Sequence, residues 1–152
     1  MSEIRFEKVV EIWNAAAGKN TGGILEWFKP PGTTAWREEA ISVADVGELR
    51  FIGGDPGSRW EALTGGRYKV KAAAATAEPL GDFRWNPSWR IVAIRDPEND
   101  VRAIIDGNSR ALALHRAVQE GRIPRDAEVR LVVGDLDLLL VRIAKSVSSL
   151  WR

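Results

Sequence analysis

Apolar residues recur at helical intervals near the start of the chain, where Phe6, Val9, Val10, Trp13, Ala16 and Ala17 share one face of a helix expected over residues 3–17, with Gly18 and Asn20 as stop signals. The period then disappears. Residues 22–45, GGILEWFKPPGTTAWREEAISVAD, mix paired glycines, Pro-Pro-Gly and two tryptophans, and predict a long ordered loop or arm. ELRFIG at 48–53 reads as a short strand, followed by the breaker cluster Gly53-Gly54-Asp55-Pro56-Gly57. Ser58 is placed to cap a short helix through residues 59–63, which Gly65-Gly66 would end. RYKVKAAAATAE fits two descriptions, since Tyr68, Val70 and Ala72 alternate like a strand while the alanine run favours helix.

The second half is more regular. RIVAIRD and VRAIID are two β-rich runs around Pro97-Glu98-Asn99-Asp100, the composition of a hairpin turn. After Asp106-Gly107 a helix is expected with Asn108 as its cap, running through Glu120 and closed by Gly121. EVRLVV at 128–133 predicts the next strand, and Gly134-Asp135 is read as the cap of a final helix reaching Trp151. The expectation is an α/β (α+β) domain with a small mixed sheet flanked by helices. It spans residues 1–152: a helix and tryptophan-rich arm over 1–47, a core over 48–135, and a C-terminal helix over 136–152.

Charge narrows the partners. The 22 basic and 21 acidic side chains leave a net charge of +1, so nucleic-acid binding would need a local patch rather than the bulk field. Sixteen of the basic residues are arginine and six lysine, a skew that suits oxyanion partners and that a GC-rich genome would also produce. The chain has no cysteine, which excludes disulfides, thiolate catalysis and thiolate zinc sites. The N-terminal stretch is unlike a signal peptide and no apolar run reaches membrane-spanning length, so a cytoplasmic protein with no membrane partner is expected.

The stretch with most chemistry is Asp106-Gly107-Asn108-Ser109-Arg110. A strand that turns at once into a helix leaves the first helical N–H groups pointing outward at the positive end of the dipole. Gly107 permits close approach, Asn108 and Ser109 add donors, and Arg110 can fork onto a phosphate. The same residues also make an ordinary capped turn.

Residues 85–135, WNPSWRIVAIRDPENDVRAIIDGNSRALALHRAVQEGRIPRDAEVRLVVGD, resemble the core of the ParB/sulfiredoxin-like superfamily, in which a hairpin delivers an Asp-Gly-x-His-Arg or Gly-x-x-Arg turn to a helix N-terminus. The resemblance covers about 50 of the 152 residues. It implies a nucleotide-phosphate site at Gly107, Asn108, Ser109 and Arg110 for ATP or CTP with Mg²⁺; Asp106, beside that turn at the strand end and placed to orient it or hold a metal ion, and Ser109 are the candidate catalytic residues. Hydrolysis or phosphoryl transfer would be the activity. Superfamily members include partition proteins, sulfiredoxins, amino-acid kinases and plasmid fertility inhibitors with nucleotidase or nuclease activity.

The departures point elsewhere. Ser109 stands where many relatives carry histidine, and it brings no charged acid at neutral pH. Sulfiredoxin chemistry needs a cysteine, and a partition protein's second nucleotide motif and DNA reader are not expected in a chain of this length. A plasmid- or phage-type interaction or inhibitor protein without catalysis therefore stays open beside the enzyme. A third reading is a small DNA-binding or nuclease module, with Arg84, Trp85, Trp89 and Arg90 alternating guanidinium and indole as single-strand binders do. That loop equally suits a core edge, while Trp27 and Trp36 of the arm are free to cover a ligand or protein partner.

Other candidates have plainer readings. His115, the only histidine, has no ligand partners in sequence and is expected to pack; Asp135 of GDLD is read as a cap rather than half of a metal site, and no metal site is expected from side chains alone. Glu38, Glu39 and Glu48 offer carboxylates upstream that nothing in the sequence distinguishes.

Overall fold

Trp36 organises the first half of the sheet. Its indole is buried, its ring N–H donates to Thr33 Oγ1 at 2.8 Å, and that hydroxyl donates to the Phe28 carbonyl at 2.6 Å. Across the strand pair its partner is Gly134, where an added Cβ would lie 2.5–2.8 Å from three indole carbons. Only a residue without a side chain fits there. Phe6 completes the enclosure, with its ring centroid 5.9 Å from that of Trp36.

The chain is represented by a computed structural model that describes residues 2–17, 28, 30–51, 69–75 and 90–150. Six strands form one mixed sheet: β1 (Ser2–Ile4), β2 (Thr33–Ser42), β3 (Arg50–Phe51), β4 (Arg90–Asp96), β5 (Val101–Asp106) and β6 (Glu128–Leu136), in the order β1-β2-β6-β4-β5-β3. β4 runs parallel to β6 and β3 parallel to β5; the other pairs are antiparallel. Helices α1 (Phe6–Ala17) and α4 (Leu138–Leu150) share an apolar cluster with Trp36, Val92, Ile94 and Val132 on one face. Helices α2 (Val70–Ala74) and α3 (Asn108–Gln119), with a 3-10 helix at Val43–Glu48, cover Ile91, Ile104, Leu131 and Val133 on the other. The expected mixed α/β sheet flanked by helices is the architecture observed.

Several local expectations are corrected. Residues 33–42 of the supposed arm are a ten-residue strand, and together with β1 they join the sheet of the 48–135 core rather than standing apart from it. Their alternation is hidden because the side opposite Trp36 carries Arg37 and Glu39 in place of apolar residues. Helix α1 starts at Phe6, since residues 2–4 pair with β2. The strand expected at 48–53 begins at Arg50, because Glu48 closes the 3-10 helix. In the ambiguous alanine segment, residues 70–74 are helical. The helix expected at 59–63 lies outside the described residues.

Both helix caps shift by one or two positions. Gly107, at φ 104°, caps α3, and Asn108 is the first helical residue. The far end is closed as expected: Gly121, at φ 74°, donates to the Val118 carbonyl and Arg122 to that of Ala117, the paired bonds of a Schellman motif. At α4 the cap is Asp137 and not Asp135, for β6 continues to Leu136 and the Asp137 carboxylate accepts the Leu140 N–H at 3.1 Å. Among the described residues no helix is long and apolar enough to cross a membrane.

Gly134→Ala should force a methyl group into the Trp36 indole and lower stability by about 1–3 kcal/mol. Urea unfolding checks this, and the loss should shrink when Trp36→Leu is already present.

Candidate functional site

The 106–110 turn is built by β5 and α3. A bulge sets it up: Val92 of β4 pairs with Asp106 while Ala93 pairs with Ile104, so β5 carries one extra residue just before the turn. Gly107 then takes a left-handed conformation, where a Cβ would lie 3.3 Å from Ile91 Cγ1. The first helical bond runs from the Ala111 N–H to the Gly107 carbonyl at 2.9 Å. Because the cap is glycine, no cap side chain takes up the first-turn amides.

Arg110 points back across the turn. Its Nη1 donates to the Arg90 carbonyl and its Nη2 lies 3.3 Å from Asp106 Oδ2. The two side chains are 17% and 16% exposed, so this pair is part of the turn's scaffold. Burial raises the Asp106 carboxyl above its ordinary value, against the opposing pull of Arg110 and the Gly107 N–H. Ser109 is exposed on the first turn of α3. The arrangement therefore brings together a helix N-terminus without a side-chain cap, an exposed hydroxyl and a guanidinium anchored on its strand side. A helix end of this kind has the chemistry to accept an oxyanion.

The other sequence candidates are dispersed. Arg84, Trp85 and Trp89 lie outside the described residues. Arg90 opens β4, with Nε donating to Glu38 Oε1 at 3.1 Å. His115 lies on α3 against the 3-10 helix, where a Cβ on Gly47 would come within 2.8 Å of its Nδ1. Burial, then the nearby Lys71 ammonium, lowers its pKa, with Glu48 opposing. Glu48 is itself held at about 2 by hydrogen bonds from Lys69 and Lys71. Among the described residues no group of three or more His, Asp or Glu side chains has the geometry to hold a metal ion.

A second polar constellation escaped the sequence reading. On the sheet face shared with α3, Arg37, Glu39, Arg102, Asp100, Arg95 and Asp135 form a closed ring of alternating charge. Its links are Arg37–Glu39 at 2.9 Å, Glu39–Arg102 at 2.9 Å, Arg102–Asp100 at 3.0 Å, Asp100–Arg95 at 2.6 Å, Arg95–Asp135 at 3.1 Å and Asp135–Arg37 at 2.8 Å. Five members come from four adjacent strands and Asp100 from the β4–β5 turn. The only sequence signal is the polar side of the alternation in β2, β4, β5 and β6. Asp135, expected to cap a helix, is spent here.

Comparisons with protein-family models, with the curated proteins and with the solved structures give no match to this chain.

Two outcomes are expected. Arg110→Ala removes the partner of Asp106 and of the Arg90 carbonyl, and should cost about 1–3 kcal/mol in chemical denaturation rather than leave the fold untouched. The second concerns pH. Burial pushes the Glu39 and Asp96 carboxyls up, but Arg102 and Arg37 on Glu39, and Lys145 and the Glu98 N–H on Asp96, together outweigh it and hold both below their ordinary values; Asp100 is held below its own by Arg95 and Arg102. The unfolded chain binds protons first, so their stabilisation is present at neutral pH, begins to fall near the unfolded carboxylate value of about 4, and is lost as pH drops further through the lowered folded-state values. Asp106, shifted upward, works in the opposite sense. Urea midpoints between pH 7 and pH 3 should fall, and Glu39→Gln should flatten the fall.

Proposed function

We propose that the 106–110 turn binds the phosphates of a nucleoside triphosphate, ATP or CTP, together with Mg²⁺. The observation that carries the reading is Gly107: its left-handed backbone turns β5 into α3 within one residue, so the first-turn amides and the Ser109 hydroxyl are presented together. Arg110, paired with Asp106 and donating to the Arg90 carbonyl, braces the turn from its strand side, so the helix N-terminus is the part that would meet the phosphates. The resemblance of residues 85–135 to ParB/sulfiredoxin-like cores supports the same assignment.

Binding is better supported than turnover. Ser109 has no general base among its described hydrogen-bond partners, and Asp106 is engaged with Arg110. A nucleotide-binding interaction protein with slow or no hydrolysis fits these two observations better than an efficient nucleotidase.

Ser109→Glu separates the helix from the ligand. A carboxylate on the first turn complements the dipole and should raise stability by about 0.3–1 kcal/mol, while repelling phosphate. Calorimetry with ATP, CTP and inorganic phosphate in Mg²⁺ should give nucleotide binding to the wild type, weakened by about tenfold, near 1.4 kcal/mol, in the variant. No heat from either nucleotide at about millimolar concentration, or unchanged affinity in the stabilised variant, would overturn the assignment.

A further inference from the structure

Register places Arg95 of β4 directly opposite Arg102 of β5, so the sheet holds two guanidinium groups side by side. Like charges in that position repel. The chain resolves the conflict with one atom: Asp100 Oδ1 accepts from Arg95 Nε at 2.6 Å and from Arg102 Nη1 at 3.0 Å. Asp100 is also the odd member of the charge ring. Its side chain is 64% exposed, against 24% for Arg95 and 22% for Arg102, and it comes from a turn at φ 56°, a left-handed conformation that glycine, asparagine and aspartate adopt more readily than other residues.

The rest of the ring is fixed by the sheet. Glu39 takes both Arg102 Nε and Nη2, at 2.9 Å and 3.0 Å, and Asp135 joins Arg95 to Arg37. Set Asp100 aside, and three guanidinium groups face two carboxylates. Glu3, opposite Arg37 across β1 and β2, lines the same space, and two N–H donors, Arg95 Nε–H and Arg102 Nη1–H, converge on the one oxygen position that Asp100 fills. A cavity of about 590 Å³ borders the ring, and a second of about 420 Å³ meets it at Asp100 and Arg102.

We propose that Arg95 and Arg102 form a seat for the carboxylate of a small or peptidic ligand, and that Asp100 is a built-in occupant which such a ligand displaces. The donor geometry matches a carboxylate: both N–H groups already converge on one carboxylate oxygen, that of Asp100. The seat lies at the start of β5, away from the 106–110 turn at its end, and does not depend on nucleotide binding there.

Asp100→Gly removes the competing carboxylate and suits the positive φ; Asp100→Asn removes the charge and keeps a residue that tolerates that backbone. Thermal midpoints would be followed against acetate, with chloride at equal ionic strength as control, for both variants and the wild type. Acetate should stabilise both variants saturably, at least about tenfold more tightly than the wild type, and Arg102→Lys in the Asp100→Gly background should abolish the effect. An N-acetylated dipeptide with a free C-terminus, compared with its amide, tells a peptide end from a small acid: tighter binding than acetate that the amide lacks assigns the seat to peptides, and equal binding to small carboxylates. An acetate response no different from chloride in either variant, or equally strong in the wild type, would overturn the proposal.

Discussion

The register of β4 between its two neighbours is the constraint on which both polar sites depend. Against β6 it sets Arg95 beside Asp135; against β5 it sets Arg95 beside Arg102, and one bulge later it sets Val92 beside Asp106. Slipping β4 by one residue would send Ile91 and Arg95 to the opposite face and carry Val92 and Ile94 with them. Apolar clusters on both faces oppose that slip. The strand is therefore held by its core residues, and its two ends carry the chemistry. At one end the Arg90 carbonyl receives Arg110; at the other Arg95 enters the charge ring.

The ring shows how a sheet can carry six charges on a face that also holds a core. Each guanidinium has two carboxylate neighbours and each carboxylate two guanidinium neighbours, so no charge in it is left without compensation. Partial burial strengthens each link and makes loss of one member more damaging than loss of an exposed pair. On the other face, Asp96, 2% exposed, accepts from Lys145 of α4 at 2.6 Å and from the Glu98 N–H at 2.8 Å, tying the β4–β5 turn to the last helix. The turn that supplies Asp100 is thus anchored from behind.

Legibility in the sequence follows the range of the interaction. The β4–β5 hairpin, α3 with its Gly121 stop, and β6 were readable because alternation, helical period and turn residues act within a few positions. β2 was not, since one side of it is filled by ion pairs whose partners lie from two to ninety-eight positions away. The glycine that admits Trp36 is also ninety-eight positions away. Caps failed by small margins for a related reason: Asp135 has the right chemistry for a cap, but pairing with β2 and β4 keeps it in the strand and leaves the task to Asp137. Of the candidate site, the motif was visible, whereas the anchoring of Arg110 by a carbonyl twenty residues earlier was not.

Gly107 gives the 106–110 turn both a close strand-to-helix passage and a helix end without a side-chain cap, and the proposed nucleotide site rests on that combination. The most direct measurement is a ¹H–¹⁵N correlation spectrum recorded while ATP or CTP is added with Mg²⁺. Binding at the turn gives saturable shifts concentrated on the amides of residues 107–111 and on the Arg110 Nε–H, with little change in β2 and β6. Shifts centred elsewhere, or a spectrum that stays unchanged at about millimolar nucleotide, would contradict it.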